Sequence, residues 1–271
     1  MTISVVIIAM NEAEWIENCI LSAKQVASEI IVVVDDRTTD KTAEIAKKMG
    51  AKVFSNKFTG FSEMKNLAFS KATSDWIFSL DADERISKEL AKQVKEVVGD
   101  FKNMFAAFSI LRQNILLGQK VRFGGWWPDP VIRLAKKDQI TGWKGDLHEV
   151  LKVKGTTTGN LTGVLYHLSH RGIDWMLETS VKYTQTEAKL RYDAGHPPVV
   201  WWRFFRVIFT EFFDRLIIKN GWRDGTVGII EAISQAFNMF LIYVHLWEMQ
   251  KGKQMDTIYK DIDKEISTNG F

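Results

Sequence analysis

The 271 residues carry 36 basic and 33 acidic side chains, a net charge of +3, with 46 % hydrophobic and 25 % charged residues. This is the make-up of a folded chain with one large α/β domain, or one domain and an appendage, and it argues against intrinsic disorder. The charge is too small to be an electrostatic footprint on nucleic acid, and the single cysteine, Cys19, excludes an intramolecular disulfide and a four-cysteine zinc site.

Residues 4–9 form an apolar run of strand length with no basic stretch before it, so the N-terminus reads as a strand rather than a signal peptide. Residues 12–23 have helical spacing, which makes Cys19 a buried structural thiol and fits a reducing compartment. Residues 30–34 are a second buried strand. Residues 40–49 read as a helix with Asp40 as N-cap, 51–54 as a third strand, 62–71 as a helix and 76–80 as a fourth strand. This alternation predicts a mostly parallel sheet covered by helices on both faces. In the middle third, residues 105–116, 131–135, 148–154 and 161–167 read as strands, and Gly124-Gly125-Trp126-Trp127-Pro128 separates two of them. The pattern is helical from Gly172 on. Pro197 and Pro198 place a boundary near residue 195, which divides the chain into 1–195 and a helical extension, 196–271.

In such a sheet, ligands bind beyond the carboxyl ends of the strands. Asn11 and Glu12 follow the first strand, Asp35 and Asp36 the second, and Asp81-Ala82-Asp83 the fourth, so three polar or acidic strand ends share one edge. Asp81 and Asp83, two residues apart at a strand end, suit a hard divalent cation whose remaining ligands are diphosphate oxygens. Taken alone, they also read as an acidic turn before a helix starting near Ser87. Asp35 is placed to accept from a base N–H or a ribose hydroxyl, and alone it also reads as part of a turn. No G-x-G-x-x-G lies nearby, which disfavours a dinucleotide site.

Three segments together resemble glycosyltransferase family 2. They are Ser4-Val5-Val6-Ile7-Ile8-Ala9-Met10-Asn11-Glu12, Asp35-Asp36-Arg37-Thr38-Thr39-Asp40-Lys41-Thr42, and Asp75-Trp76-Ile77-Phe78-Ser79-Leu80-Asp81-Ala82-Asp83-Glu84-Arg85. The resemblance implies the GT-A fold, a nucleotide-sugar donor and inversion at the anomeric carbon. Further along, Gly145-Asp146-Leu147-His148-Glu149, Tyr166-His167 and Gly221-Trp222-Arg223-Asp224-Gly225 with Gly228 are similar to the lipopolysaccharide core β-1,4-glucosyltransferase branch. Carried over residue by residue, the resemblance implies that Asn11 and Glu12 line the nucleotide pocket and that Asp35 and Asp36 meet the base. Lys65 and Asn66 would lie near the ribose or diphosphate. Asp81 would contact ribose or metal, and Asp83 would bind Mg²⁺ or Mn²⁺. Arg37 stands where the family often has glycine.

An inverting displacement needs a carboxylate that deprotonates the attacking hydroxyl. Glu149 is the first choice for this base and Asp146 its competitor, while His148 is a ligand for metal or phosphate. His167 and His170 read as structural histidines by default, and Arg112, Arg122, Arg133 and Arg171 as solvated surface. Trp126 and Trp127 are equally a sugar-stacking platform or ordinary core.

Residues 199–209 are aromatic and basic, continued by Phe212, Phe213, Leu216 and Ile217 at helical spacing. Such a helix lies on a membrane surface, or packs on its own domain or on a second copy. Charges interrupt residues 199–218, and Glu231, Ser234, Gln235, Asn238 and His245 make residues 226–247 a poor spanning segment. The expectation is a metal-dependent hexosyltransferase that takes its sugar from a UDP-sugar and passes it to a glycan or glycolipid such as lipopolysaccharide core. It would be cytoplasmic and peripheral on the inner face of the cytoplasmic membrane. A sugar nucleotidyltransferase would share the strand order but needs a glycine-rich basic loop after the first strand, where Met10-Asn11-Glu12 stands. A non-catalytic membrane-associated scaffold would have lost its carboxylates.

Overall fold

Side chains along a strand alternate between the two faces of its sheet, and here both faces are apolar. Along the first strand, Ile3, Val5, Ile7 and Ala9 enter one core while Val6 enters the other. The structure is a computed structural model describing residues 1–145, 149–154 and 157–269. It resolves into two compact units, Met1–Val121 with Trp126–Ser169, and Arg122–Gly125 with His170–Phe271.

The first unit opens with β1 (Ile3–Ala9), α1 (Ile16–Ala23), β2 (Glu29–Asp35), α2 (Thr42–Lys48), β3 (Lys52–Asn56), α3 (Phe61–Lys71) and β4 (Trp76–Asp81). It continues with β5 (Glu84–Ile86), α4 (Lys88–Gly99), β6 (Ala107–Leu116), β7 (Gln119–Lys120), β8 (Pro130–Lys136), β9 (Ile140–Lys144), β10 (Val150–Val153) and β11 (Thr158–Ser169). The main sheet runs β3-β2-β1-β4-β8-β6-β11-β5, with β7 on β6, and β9 and β10 pair separately. The first four of these strands are parallel. The sheet then turns mixed: β8 is antiparallel to both β4 and β6, β11 is parallel to β6, and β5 is antiparallel to β11. Only Ala82 and Asp83 separate β4 from β5, yet β5 pairs at the far end of the strand order. The second half of the sheet therefore curls back to the end of β4.

Helix α1 begins at Ile16 rather than near residue 12, because the preceding segment is committed to other bonds. Asn11 takes a left-handed conformation (φ 53°). The Glu12 N–H donates to Thr42 Oγ1 (2.8 Å) and the Ala13 N–H to Asp40 Oδ2 (2.9 Å). The N-cap of α2 is Lys41 rather than Asp40, which stands one residue earlier and accepts from the Thr42 N–H on Oδ1 (2.9 Å). The loops after β1 and β2 are thereby joined into one scaffold.

In the second unit, α5 (Ile173–Asp193), α6 (Trp201–Phe213) and α7 (Gly225–Gln250) enclose a small core of Ala188, Val199, Val207, Ile242, Tyr243 and Leu246, and α8 (Met255–Asn269) follows with its side chains largely exposed. The proline-marked break near residue 195 falls inside this unit, between α5 and α6. Gly228 lies against the 3₁₀ turn Gly221–Asp224 so closely that a Cβ would stand 1.9 Å from the Gly221 carbonyl oxygen. The Asp224 carboxylate in that turn accepts from the backbone N–H groups of Arg122 and Phe123. The glycine-rich string at residues 221–228 is thus a packing device. Among the described residues, one helix, within Gly221–Gln250, is long and apolar enough to cross a membrane by length and composition, with 33 % of its apolar window buried. Glu231 does not interrupt its outer face, because the side chain is 2 % exposed and turned inward onto His170 Nδ1 (2.7 Å).

Glu29 ties four pieces of the first unit together. Its Oε1 accepts from Ser4 Oγ and from the backbone and hydroxyl of Thr73, and its Oε2 meets Lys52 Nζ at 2.6 Å. Burial alone would raise this carboxyl, but the bonds from Lys52, Ser4 and Thr73 outweigh it and hold the pKa at about 2. A depressed folded-state value stabilises the fold above the ordinary carboxyl range, and that stability is lost as pH falls toward 2. Glu29→Gln should lower stability at neutral pH by about 1–3 kcal/mol and flatten the acid limb of the urea midpoint against pH. An unchanged acid limb would remove Glu29 from this role.

Candidate active site

The turn from β4 into β5 is closed by its own last side chain. Glu84, fully buried, accepts the Asp81 backbone N–H on Oε2 (3.0 Å). Its Oε1 accepts from Arg133 Nη2 at 2.5 Å, and Arg112 Nη1 stands 3.7 Å away. The same Nη2 of Arg133, which β8 holds 4 % exposed, donates to Asp81 Oδ2 at 2.5 Å. Lys65 from α3 places its Nζ 3.4 Å from Asp81 Oδ1 and 4.5 Å from the centre of the Trp143 ring. Burial would raise the Asp81 carboxyl, yet the charges of Arg133 and Lys65 hold it well below the usual range. At Glu84 burial prevails and pushes the carboxyl up against the pull of Arg133. Burial would weaken the Arg133 cation, and its two carboxylate partners more than restore it.

Beyond this cluster stands Asp83, whose Oδ2 is 3.5 Å from His167 Nε2. The β11 register sets His167 opposite Glu84 of β5 and opposite Asn114 of β6. Asn114 Nδ2 donates to the Trp126 carbonyl (3.1 Å) and to Asp129 Oδ2 (3.0 Å), which leaves Oδ1 as the acceptor for His167 Nδ1 at 2.6 Å. With Nδ1–H donating to Asn114, Nε2 is the ring nitrogen that faces Asp83. A carboxylate oxygen and an imidazole nitrogen facing each other fit the donor set of a divalent cation. Among the described residues no group of three His, Cys, Asp or Glu side chains could hold a metal by itself. Phosphate oxygens would have to complete the coordination, as is usual for Mg²⁺.

At the end of β2, Asp35 is 3 % exposed. Its oxygens accept from Arg37 Nε (3.0 Å), from Arg37 Nη2 (2.5 Å) and from the Arg37 backbone N–H (2.9 Å), and the side-chain bonding of Arg37 leads in holding the carboxyl below its ordinary value. Arg37 lies 4.8 Å over the Phe58 ring. Asp36 is exposed. Asn11 Oδ1 accepts from the Thr39 N–H (2.9 Å) and braces the two loops.

The sequence-derived residues divide accordingly. Asp81 and Lys65 meet in one cluster, and Asp83 stands beside it against His167. Asn66 faces β9 instead, donating to the Trp143 carbonyl (3.2 Å) and accepting its N–H (2.8 Å), so its amide fastens the strand. Glu149 stands half-buried just before β10, while Asp146 and His148 lie outside the described residues. Cys19 is fully buried, its thiol pushed up by burial, as a structural cysteine should be. Two arginines read as solvated surface are corrected: Arg133 and Arg112 are site cations, because Glu84 could not be fully buried without a cation beside it, and Arg133 also pairs with the half-buried Asp81. The signal was present for Arg133, which sits in the apolar strand pattern Val131-Ile132-Arg133-Leu134-Ala135. His167 stood in the Tyr166-His167 pair of the family pattern, but its place beside Asp83 comes only from pairing across β11.

Arg133→Met should lower stability by about 3–5 kcal/mol, because it leaves two carboxylates without their shared partner. Chemical denaturation measures this, and a loss under about 1 kcal/mol would mean that solvent already screens the pair.

A family model described as Glycosyl transferase family 2 matches residues 4–140. An uncharacterized glycosyltransferase of Rickettsia felis is 42 % identical over 268 residues, covering 91 % of this chain and 89 % of the relative. The lipopolysaccharide core biosynthesis glycosyltransferase LpsC of Rhizobium meliloti is 28 % identical over 260 residues, covering 91 % and 92 %. Among solved structures, S. aureus TarS 1-349 in complex with UDP-GlcNAc aligns over 93 % of each chain at 12 % identity, with a TM-score of 0.49.

Proposed function

The chain belongs to glycosyl transferase family 2, and from that membership we propose that it transfers a hexose from a UDP-sugar to a hydroxyl of a glycan or glycolipid, inverting the anomeric carbon. The observation that carries this reading is the set of acidic strand ends, Asp35 on β2 and Asp81-Ala82-Asp83 on β4, with His167 turned onto Asp83. Asp35 accepts from the base and Asp81 from the ribose. Asp83 and His167 would hold Mg²⁺ or Mn²⁺, with His148 the second candidate for the nitrogen ligand. When bound, the cation neutralises charge on the departing diphosphate. Lys65 adds a fixed positive charge beside Asp81. Glu149 takes the proton of the acceptor hydroxyl as its oxygen bonds to the anomeric carbon and the bond to the diphosphate oxygen breaks. The relative from Rhizobium meliloti, named for lipopolysaccharide core biosynthesis and matched along nearly its whole length, supports an acceptor of that class.

The second unit supports attachment to a lipid surface. Trp202, Phe205, Phe209 and Phe213 form an exposed stripe along α6, and the guanidinium groups of Arg203 and Arg206 each lie 5.5 Å from the Trp202 ring. Aromatic rings beside arginines suit the headgroup region of an anionic bilayer.

Calorimetric titration of UDP, GDP and CDP, with and without Mn²⁺, tests the donor site. UDP should bind in a metal-dependent way, and Asp83→Ala should lose the metal dependence. Glu149→Gln should keep UDP affinity while slowing transfer about a hundredfold. A folded protein that binds none of the three nucleotides would remove the transferase reading. Co-sedimentation with phosphatidylglycerol vesicles should fall sharply in a Trp202→Ala/Phe205→Ala/Phe209→Ala variant. Equal sedimentation of the variant would reassign the stripe to protein packing.

A further inference from the structure

The carboxylate assigned to the nucleobase is already occupied by the chain itself. Asp35 is 3 % exposed, while the group that covers it, the Arg37 side chain, is 56 % exposed. Two parallel N–H donors of the guanidinium, on Nε and Nη2, meet its two oxygens at 3.0 and 2.5 Å. This is the fork geometry in which a planar group with adjacent N–H donors pairs with a carboxylate. The guanidinium is flat, lies 4.8 Å from the Phe58 ring centre and has Met10 Sδ 3.9 Å from Nη2. A planar donor placed over an aromatic ring and hydrogen-bonded to a buried carboxylate has the recognition chemistry of a nucleobase. A glycine at position 37 would leave the carboxylate uncovered.

We propose that Arg37 is an internal occupant of the base subsite, which the incoming base must displace from Asp35, and that it thereby sets the affinity for the nucleoside part of the donor. The inference rests on the reading of Asp35 as the base acceptor. Displacement is sterically open because more than half of the Arg37 side chain already faces solvent. The Arg37 backbone N–H stays on Oδ1 (2.9 Å) whatever the side chain does, so the carboxylate keeps its orientation when the guanidinium leaves. Only bases with an N–H on the pairing edge gain from the exchange, since the carboxylate can only accept.

Uridine isolates the base from the diphosphate, so its affinity, with that of UDP, is the direct readout. Arg37→Ala should bind uridine and UDP about tenfold more tightly than wild type. Arg37→Lys, which keeps the charge but loses the fork, should fall between them, and Asp35→Asn should lose most of the uridine affinity. Arginine modification of the wild-type protein by phenylglyoxal, followed by peptide mass analysis, provides a readout that needs no variant. Saturating UDP should speed modification of Arg37, the reverse of ordinary ligand protection. If wild type binds UDP and Arg37→Ala binds it no more tightly, or UDP protects Arg37, the occupant role is overturned and the donor site stands. If neither folded protein binds any nucleotide, the donor-site reading itself falls and takes this inference with it.

Discussion

Two carboxylates three residues apart share one buried guanidinium, and the active-site edge of the first unit depends on that arrangement. Asp81 and Glu84 both accept from Arg133 Nη2, and Glu84 also closes the turn by accepting the Asp81 N–H. A buried carboxylate without a partner would protonate or unfold its surroundings. With Arg133 in place, β4 can end in a charged turn and lead directly into β5. That turn presents Asp83 outward while β11 brings His167 to meet it. The cluster also separates the roles of the two aspartates: Asp81 is neutralised from inside the protein by Arg133 and Lys65, and Asp83 faces a histidine whose ring is fixed by Asn114.

The loops around the site are rigid for a related reason. Asn11, Asp40 and Thr42 bond across from one strand end to the next, so the segments after β1 and β2 hold each other without extra secondary structure. Arg37 is a long cation in the middle of this scaffold, and Asp35 is the acceptor it reaches. The result is an edge on which polar groups are fixed by one another.

The alternating first eighty residues were legible because hydrophobic period and length agree there: four apolar strands of five to seven residues, each followed by a helix or a polar turn. The acidic strand ends were legible for the same reason, since their place follows from where the apolar runs stop. The middle third was less so. Strands β5 and β7 have three and two residues, too short for any periodicity, and β9 is interrupted by Gly142. Long-range pairing hid the rest. His167 meets Asp83 through a strand register spanning more than eighty residues, and the burial of Arg133 depends on Glu84, a residue read only as part of a motif. The glycines at 221 and 228 matched a family pattern, while their cause, a backbone approach too close for any Cβ, lies in tertiary packing.

On the proposed function, Asp83 and His167 would together hold the cation that meets the donor diphosphate. A crystal structure of the protein soaked with UDP and Mn²⁺, with data collected at the manganese absorption edge, tests it most directly. The expected result is an anomalous peak beside Asp83 and His167, with Asp81 still bound to Arg133. A peak placed on Asp81 with Arg133 displaced, or UDP bound with no metal near His167, would contradict it.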